Sequence, residues 1–223
     1  MSKETSPTAV ITMLKHLYTI FDALVLQYDL FKVQTIGDAY IVMSNVDSTA
    51  AGREQSVQAS TRKAEQDAHA MVRMAFDMVR TIRDYPAPHG KPLRMRIGIH
   101  FGSVAAGVIG TKKLRYDIFG TDALLGNALE SNGVSGGVVV SEAVVPLLAQ
   151  LHRQYAIVPH EMVTLVEQGE FIGETMSYRV HVARTLALQR LLMQRAFSLL
   201  CAHTDASARD AAAAAADGGA ARE

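Results

Sequence analysis

Two apolar runs, Phe31 to Ile36 and Tyr40 to Ser44, meet at Gly37-Asp38. Two-residue hairpin turns favour Asn-Gly or Asp-Gly. Here the order is reversed, so Asp38 is a carboxylate that the turn itself does not call for. Fixed at a strand turn, it offers a hard divalent cation an oxygen ligand with little motion. For a hairpin taken alone, a solvated turn carboxylate is the commoner reading. Further on, "LRMRIGIH" alternates Arg94 and Arg96. A planar guanidinium suits phosphate, and the plainer alternative is a strand face turned to solvent or to a carboxylate. The glycines of "GIHFGSVAAGVIG" read as tight turns, because no helix opens there to make a phosphate cradle.

Other chemistries find little support. The 8 histidines are scattered without a His-Glu-x-x-His helix, and His100 reads as a satisfied core or edge histidine. No nucleophile elbow is present; Ser103 and Ser141 read as turn and cap residues. Met71, Met74 and Met78 read as core filler. Cys201 is the single cysteine, which excludes an intrachain disulfide framework or a multi-cysteine zinc site and suits a reducing compartment. Acidic and basic side chains balance at 22 each, so bulk charge gives no reason to expect nucleic acid or an anionic membrane surface. Apolar stretches such as "AVVPLLA" are too short to cross a bilayer, so no membrane span is expected.

These residues need elements to hold them. Apolar positions Val10, Leu14, Leu17, Phe21, Leu24 and Tyr28 step by three and four and predict a helix that starts after Pro7-Thr8. The two strands around Gly37 follow, and then a polar, irregular insert over 45–66. A second helix is expected from about Glu65 to Asp84, ending before Pro86 and Pro88. "LRMRIGIHFG" and "SVAAGVIG" read as strands joined near Gly102, with "LRYDIFG" as a third. Thr121 or Asp122 is expected to cap a helix to Ser131 that Asn132-Gly133 closes. "GGVVVS" reads as a buried strand, Ser141-Glu142 as the start of a short helix, and Ala156 to Val166 and Ser177 to Val182 as strands. A last helix is expected over 183–203, then a disordered low-complexity tail over 204–223. Strands mixed with helices at this length predict one α+β sandwich.

Read together and in order, "FKVQTIGDAYIVMS", "LRMRIGIHFGSVAAGVIG", "YDIFGTDALLGNALESNG" and "VVVSEAV" resemble the class III nucleotidyl cyclase catalytic domain, the family of adenylate and guanylate cyclases. The resemblance covers residues 8–182. It implies a ferredoxin-like βαββαβ core with extra strands, and head-to-tail pairing of two domains with active sites at their interface. It also implies two Mg²⁺ or Mn²⁺ ions on two aspartates of one partner, where the ribose 3′-hydroxyl attacks the α-phosphorus and expels pyrophosphate. On this pattern Asp38 matches the second metal aspartate and Arg96 the phosphate-reaching arginine. Gln34 and Asp117 match the base-reading positions. A lysine–aspartate pair there reads adenine and a glutamate–cysteine pair reads guanine. Gln34 with Asp117 fits neither, which leaves ATP and GTP both open.

The same resemblance says which half this is. Leu124 and Ala128 occupy the positions of the transition-state asparagine and arginine, and neither donates a hydrogen bond or a charge. Asn127 lies three residues past the asparagine position and does not occupy it. Asp122 with Asn127 resembles the metal-bearing half of heterodimeric cyclases, and "VEQGEFIGETMSYRV" holds no clear match for the phosphate-gripping lysine of the complementary half. The expected partners are therefore a complementary cyclase domain and a nucleoside triphosphate. In the family a strand carrying the first metal aspartate precedes the first helix. Only "MSKETSP" stands there, so an N-terminally incomplete domain, inactive alone, is expected. The implied location is cytoplasmic, on the cytosolic side of a membrane-anchored parent. A non-catalytic dimerisation or regulatory domain is the alternative.

Overall fold

The computed structural model describes residues 6–45, 57–86, 92–151, 154–167 and 170–182. The expected C-terminal helix and tail, and residues 46–56 of the expected insert, lie outside the described residues, as do residues 1–5 ahead of the first helix. Met1–His152 with Ala156–His181 form one compact unit; the second, Arg153–Tyr155 with Val182–Glu223, falls almost wholly outside the described residues.

Helix α1 (Pro7–Gln27) starts where Ser6 caps it, its hydroxyl accepting from the Ala9 N–H at 3.2 Å, with Pro7 in the first turn. Its buried stripe is Met13, Leu17, Phe21 and Val25, flanked by partly buried Leu14, Tyr18, Leu24 and Tyr28. By length and composition α1 could cross a membrane, which corrects the expectation that no segment reaches that length. Its stripe nevertheless packs in one cluster with Leu30, Met74, Met78 and Ile82, so it serves here as a core helix.

Strands β1 (Leu30–Ile36) and β2 (Ala39–Ser44) pair antiparallel. Only Gly37 of the connecting pair has positive φ, at 61°. That distribution belongs to a type II′ turn, which takes glycine first, so the Gly-Asp order that looked reversed is the one this turn favours. Leu30 and Val33 are both buried although three apart, which strict alternation forbids. A bulge between Lys32 and Gln34 supplies the change of face.

Helix α2 (Val57–Asp84) begins well before the expected Glu65. Polar residues at 60–63 misled the composition reading, since polarity on an outer face is compatible with helix. Its buried residues include Ala68, Val72, Met74, Ala75, Met78 and Ile82, which bears out methionine as core filler.

Strand β3 is only Ile97–Ile99, so Arg94 and Arg96 precede it and do not alternate on it. It does not hairpin onto the next strand. It pairs in parallel with β6 (Val138–Ser141), whereas β4 (Ala105–Ile109) pairs antiparallel with β5 (Arg115–Phe119). Helix α3 (Thr121–Ser131) lies between β5 and β6 in sequence; a Cβ on Gly98 would meet the Glu130 backbone nitrogen at 2.4 Å, so only glycine lets α3 sit this close to β3. The cap of α3 is Gly120 and not Thr121 or Asp122: both already lie within the helix, and the Asp122 carboxylate is engaged elsewhere. A 3₁₀ turn, Glu142–Val144, follows β6, and β7 (Tyr155–Glu167) and β8 (Glu170–Val182) run longer than expected. The four-stranded sheet has the order β3-β6-β8-β7, with β6 fully buried. The α+β expectation holds.

Candidate functional site

The hairpin turn is fastened to α1 from two sides. The Tyr18 hydroxyl donates to the Gly37 carbonyl at 3.0 Å, and its ring packs on Tyr40 at 5.5 Å between centroids. Burial first, then the negative charge of Asp38, push the Tyr18 phenol above its usual range, which keeps it protonated as that donor. Lower on the hairpin, Lys32 Nζ donates to Asp22 Oδ1 at 2.7 Å and the Tyr40 hydroxyl donates to the same oxygen. Partial burial raises the Asp22 carboxyl, yet these two bonds and the lysine charge outweigh it and hold it below the usual range. The result is a stiff hairpin with Asp38 at its tip, exposed and without a hydrogen-bond partner among the described residues.

An exposed carboxylate oxygen is the right donor for a hard cation. Among the described residues no group of three or more His, Cys, Asp or Glu side chains converges to hold one, so Asp38 by itself would be no more than one ligand of such a site. Phosphate oxygens, water and further carboxylates would supply the rest.

The bulge turns Gln34 toward β5, where its Nε2 donates to Asp117 Oδ1 at 2.6 Å. The two positions singled out as base readers are thus in contact. Asp117 Oδ1 also accepts from the Ile118 N–H at 2.9 Å, and Arg115 Nη2 donates to Oδ2 at 2.8 Å. Asp117 is 8 % exposed. Burial raises its carboxyl, but the Ile118 amide, Gln34 and the Arg115 guanidinium together hold it below the usual carboxylate range. A group with a lowered folded pKa stabilises the fold above its unfolded value, near about 4, and that contribution is lost as pH falls through the folded value. Asp117→Asn is therefore expected to lower the melting temperature at neutral pH. The gap from wild type should close as pH drops below about 4, and a constant gap down the acid limb of a melting series would contradict the assignment. Arg115 was missed in the sequence, although its two-residue spacing from Asp117 puts both on one strand face.

Arg96 sits one residue before β3, its Nε donating to Glu130 Oε1 at 2.9 Å, with side chains 46 % and 44 % exposed respectively. This is the carboxylate partner that the plainer reading allowed. An exposed pair of this kind is worth about 0.2–1 kcal/mol, so Glu130 holds the guanidinium only weakly. On α3, Leu125 and Leu129 are buried, while Leu124 is 39 % exposed and Ala128 lies one turn further along the same outer face.

The last constellation joins β3, β6 and α3. His100 is a satisfied, nearly buried histidine, as expected: its Nδ1 lies 2.8 Å from Ser141 Oγ and its Nε2 3.0 Å from Asp122 Oδ1. Ser141 does not cap the 3₁₀ turn with its side chain. The His100 bond lowers the Asp122 carboxyl against the effect of partial burial, and the Ser103 N–H adds to the lowering.

A sequence profile of the family described as the adenylate and guanylate cyclase catalytic domain matches residues 1–181. The soluble guanylate cyclase subunit alpha-1 of Bos taurus is 41 % identical over 145 residues, covering 64 % of this chain and 19 % of that protein. Human atrial natriuretic peptide receptor 2 is 38 % identical over 154 residues, covering 68 % of this chain and 13 % of that receptor. The guanylate cyclase domain of RhGC from Catenaria anguillulae, solved with GTP, shares the fold at TM-score 0.63 and 22 % identity, over 82 % of this chain and 89 % of that one. The adenylyl cyclase CyaB of P. aeruginosa does so at TM-score 0.65 and 23 % identity, over 82 % and 87 %. The chain spans less than a fifth of the length of these two full-length relatives.

Proposed function

Because the chain belongs to the adenylate and guanylate cyclase catalytic-domain family, we propose that it is the metal-bearing half of a cyclase dimer that makes a cyclic nucleotide from ATP or GTP in intracellular signalling. The observation that carries the reading is Asp38, an exposed carboxylate at the tip of a hairpin fastened by Tyr18 and Asp22. When bound, Mg²⁺ or Mn²⁺ would neutralise triphosphate charge and lower the pKa of the ribose 3′-hydroxyl. The chain's own residues have simpler duties. Asp38 donates carboxylate oxygen from a fixed turn, and Arg96 leaves Glu130 to take a phosphate oxygen. Leu124 and Ala128 offer no transition-state donor, so the complementary domain supplies that pair, and Gln34 with Asp117 lines the second, degenerate pocket. The cytosolic side of a membrane is the natural place for such a domain in a receptor-like parent.

Reconstitution tests this. The chain, expressed in its native reading frame with a complementary cyclase domain, is expected to form cyclic nucleotide in Mn²⁺ from one of ATP or GTP. The chain alone is expected to give essentially no turnover, since each missing transition-state donor is worth about 10²-fold or more. A robust rate from the chain alone would refute the assignment of half. A non-catalytic regulatory domain is the second reading, favoured by Leu124, Ala128 and the Arg96–Glu130 pair; it predicts a stable complex in which Asp38→Ala changes nothing.

A further inference from the structure

Every second residue from 96 to 102 meets α3. Arg96 bonds Glu130 near its end, Gly98 makes room for the Glu130 backbone, and His100 bonds Asp122 in its first turn. A Cβ on Gly102 would come within 2.3 Å of the Asp122 carboxyl carbon, so that space is reserved for the carboxylate. The other Asp122 oxygen accepts the Ser103 N–H at 2.6 Å.

Those contacts fix the tautomer of the neutral imidazole. An ionised Asp122 only accepts, so Nε2 must carry the hydrogen that lies between them. In the neutral ring Nδ1 is then the acceptor, and the Ser141 hydroxyl, wholly buried at the end of β6, donates to it. A directed chain results, from Ser141 to His100 to Asp122, joining the carboxyl ends of the parallel strands β3 and β6 to the start of α3. The bond to ionised Asp122 is charge-assisted and the stronger of the two, and leaving a buried donor or acceptor unmet is costly.

We propose that His100 is a positioning residue: held as the Nε2–H tautomer between Asp122 and Ser141, it seats the first turn of α3, the helix whose outer face carries Leu124 and Ala128. Neither the tautomer nor the seating of the helix rests on the proposed function.

The test uses the whole chain, labelled with ¹⁵N in its histidines. A long-range ¹H–¹⁵N spectrum of the wild type is expected to show His100, assigned by its loss in variants, as the Nε2–H tautomer. An Nδ1–H tautomer would overturn the proposal without any variant having to fold. Two substitutions then separate positioning from bulk. In His100→Gln the amide nitrogen can still donate to Asp122, whereas in His100→Asn the shorter side chain offers an acceptor to Ser141 and nothing to Asp122. Amide exchange at Ser103 and in the first turn of α3 is expected to stay near wild type in His100→Gln and to rise at least about tenfold in His100→Asn. Equal behaviour of the two, or unfolding of both alongside an Nδ1–H wild type, would reduce His100 to packing. Because none of these readouts needs turnover, a dead reconstituted cyclase with the expected tautomer would sink the function and spare this assignment.

Discussion

Asp38→Ala, made in the native reading frame and paired with a complementary cyclase domain, is expected to cut Mn²⁺-dependent cyclic nucleotide formation by about 10²-fold or more, since stabilisation of transition-state charge by a metal is worth several kcal/mol and each 1.36 kcal/mol is about tenfold. Stability should barely move. The carboxylate is exposed and has no hydrogen-bond partner among the described residues, and the turn is held through the Gly37 carbonyl. Surface changes of that sort usually stay within about 0.5 kcal/mol. Asp38→Asn keeps the shape and removes the charge, so it should fall nearly as far as the alanine variant. The assay is initial rate against Mn²⁺ concentration, with a thermal melt beside it. Full activity in Asp38→Ala would take this residue out of the mechanism; a collapsed melt would make the hairpin tip a structural element instead.

The second large effect is on the fold. Leu129 on α3 is fully buried, and Leu125 is buried one turn before it. Truncating a buried leucine to alanine costs about 2–5 kcal/mol, from lost transfer energy and from the cavity left behind. Leu129→Ala is therefore expected to lower the denaturation midpoint strongly. Leu124→Ala, on the outer face at 39 % exposure, should cost little. Chemical denaturation of both variants checks the register of the helix, and equal losses would mean that Leu124 is also covered in the folded protein.

Much of this was legible in the chain itself, where the cause is local. The strands around Gly37, the stripe of α2 with its methionines, the buried "VVVS" strand and the end of α3 at Asn132 all follow from periodicity or from end signals close in sequence. The misreadings share a different origin. The partner of β3 is a strand some 40 residues later, and no local pattern announces a parallel pairing of that separation. The first turns of α2 are polar on a helix that buries its apolar face further along. Asp122 looked like a cap because its type favours one, and was claimed instead by His100 and the Ser103 amide. At the candidate site, the likeness of motifs chose Asp38, Gln34, Asp117 and Arg96. Geometry added what holds them: Tyr18 beneath the turn, Arg115 beside Asp117 and Glu130 against Arg96.

The bulge in β1 carries a consequence for engineering. Were β1 regular over these same residues, strict alternation would put positions 30, 32 and 34 on one face, and a side chain at 34 would answer to the interior. With the bulge, Leu30 and Val33 fill the core while Gln34 faces Asp117. Substitutions at position 34 therefore spare the packing of Leu30 and Val33 and act through the bond to Asp117, whereas deleting Val33 would keep the Lys32–Val42 and Gln34–Ile41 pairs and take one side chain out of the core.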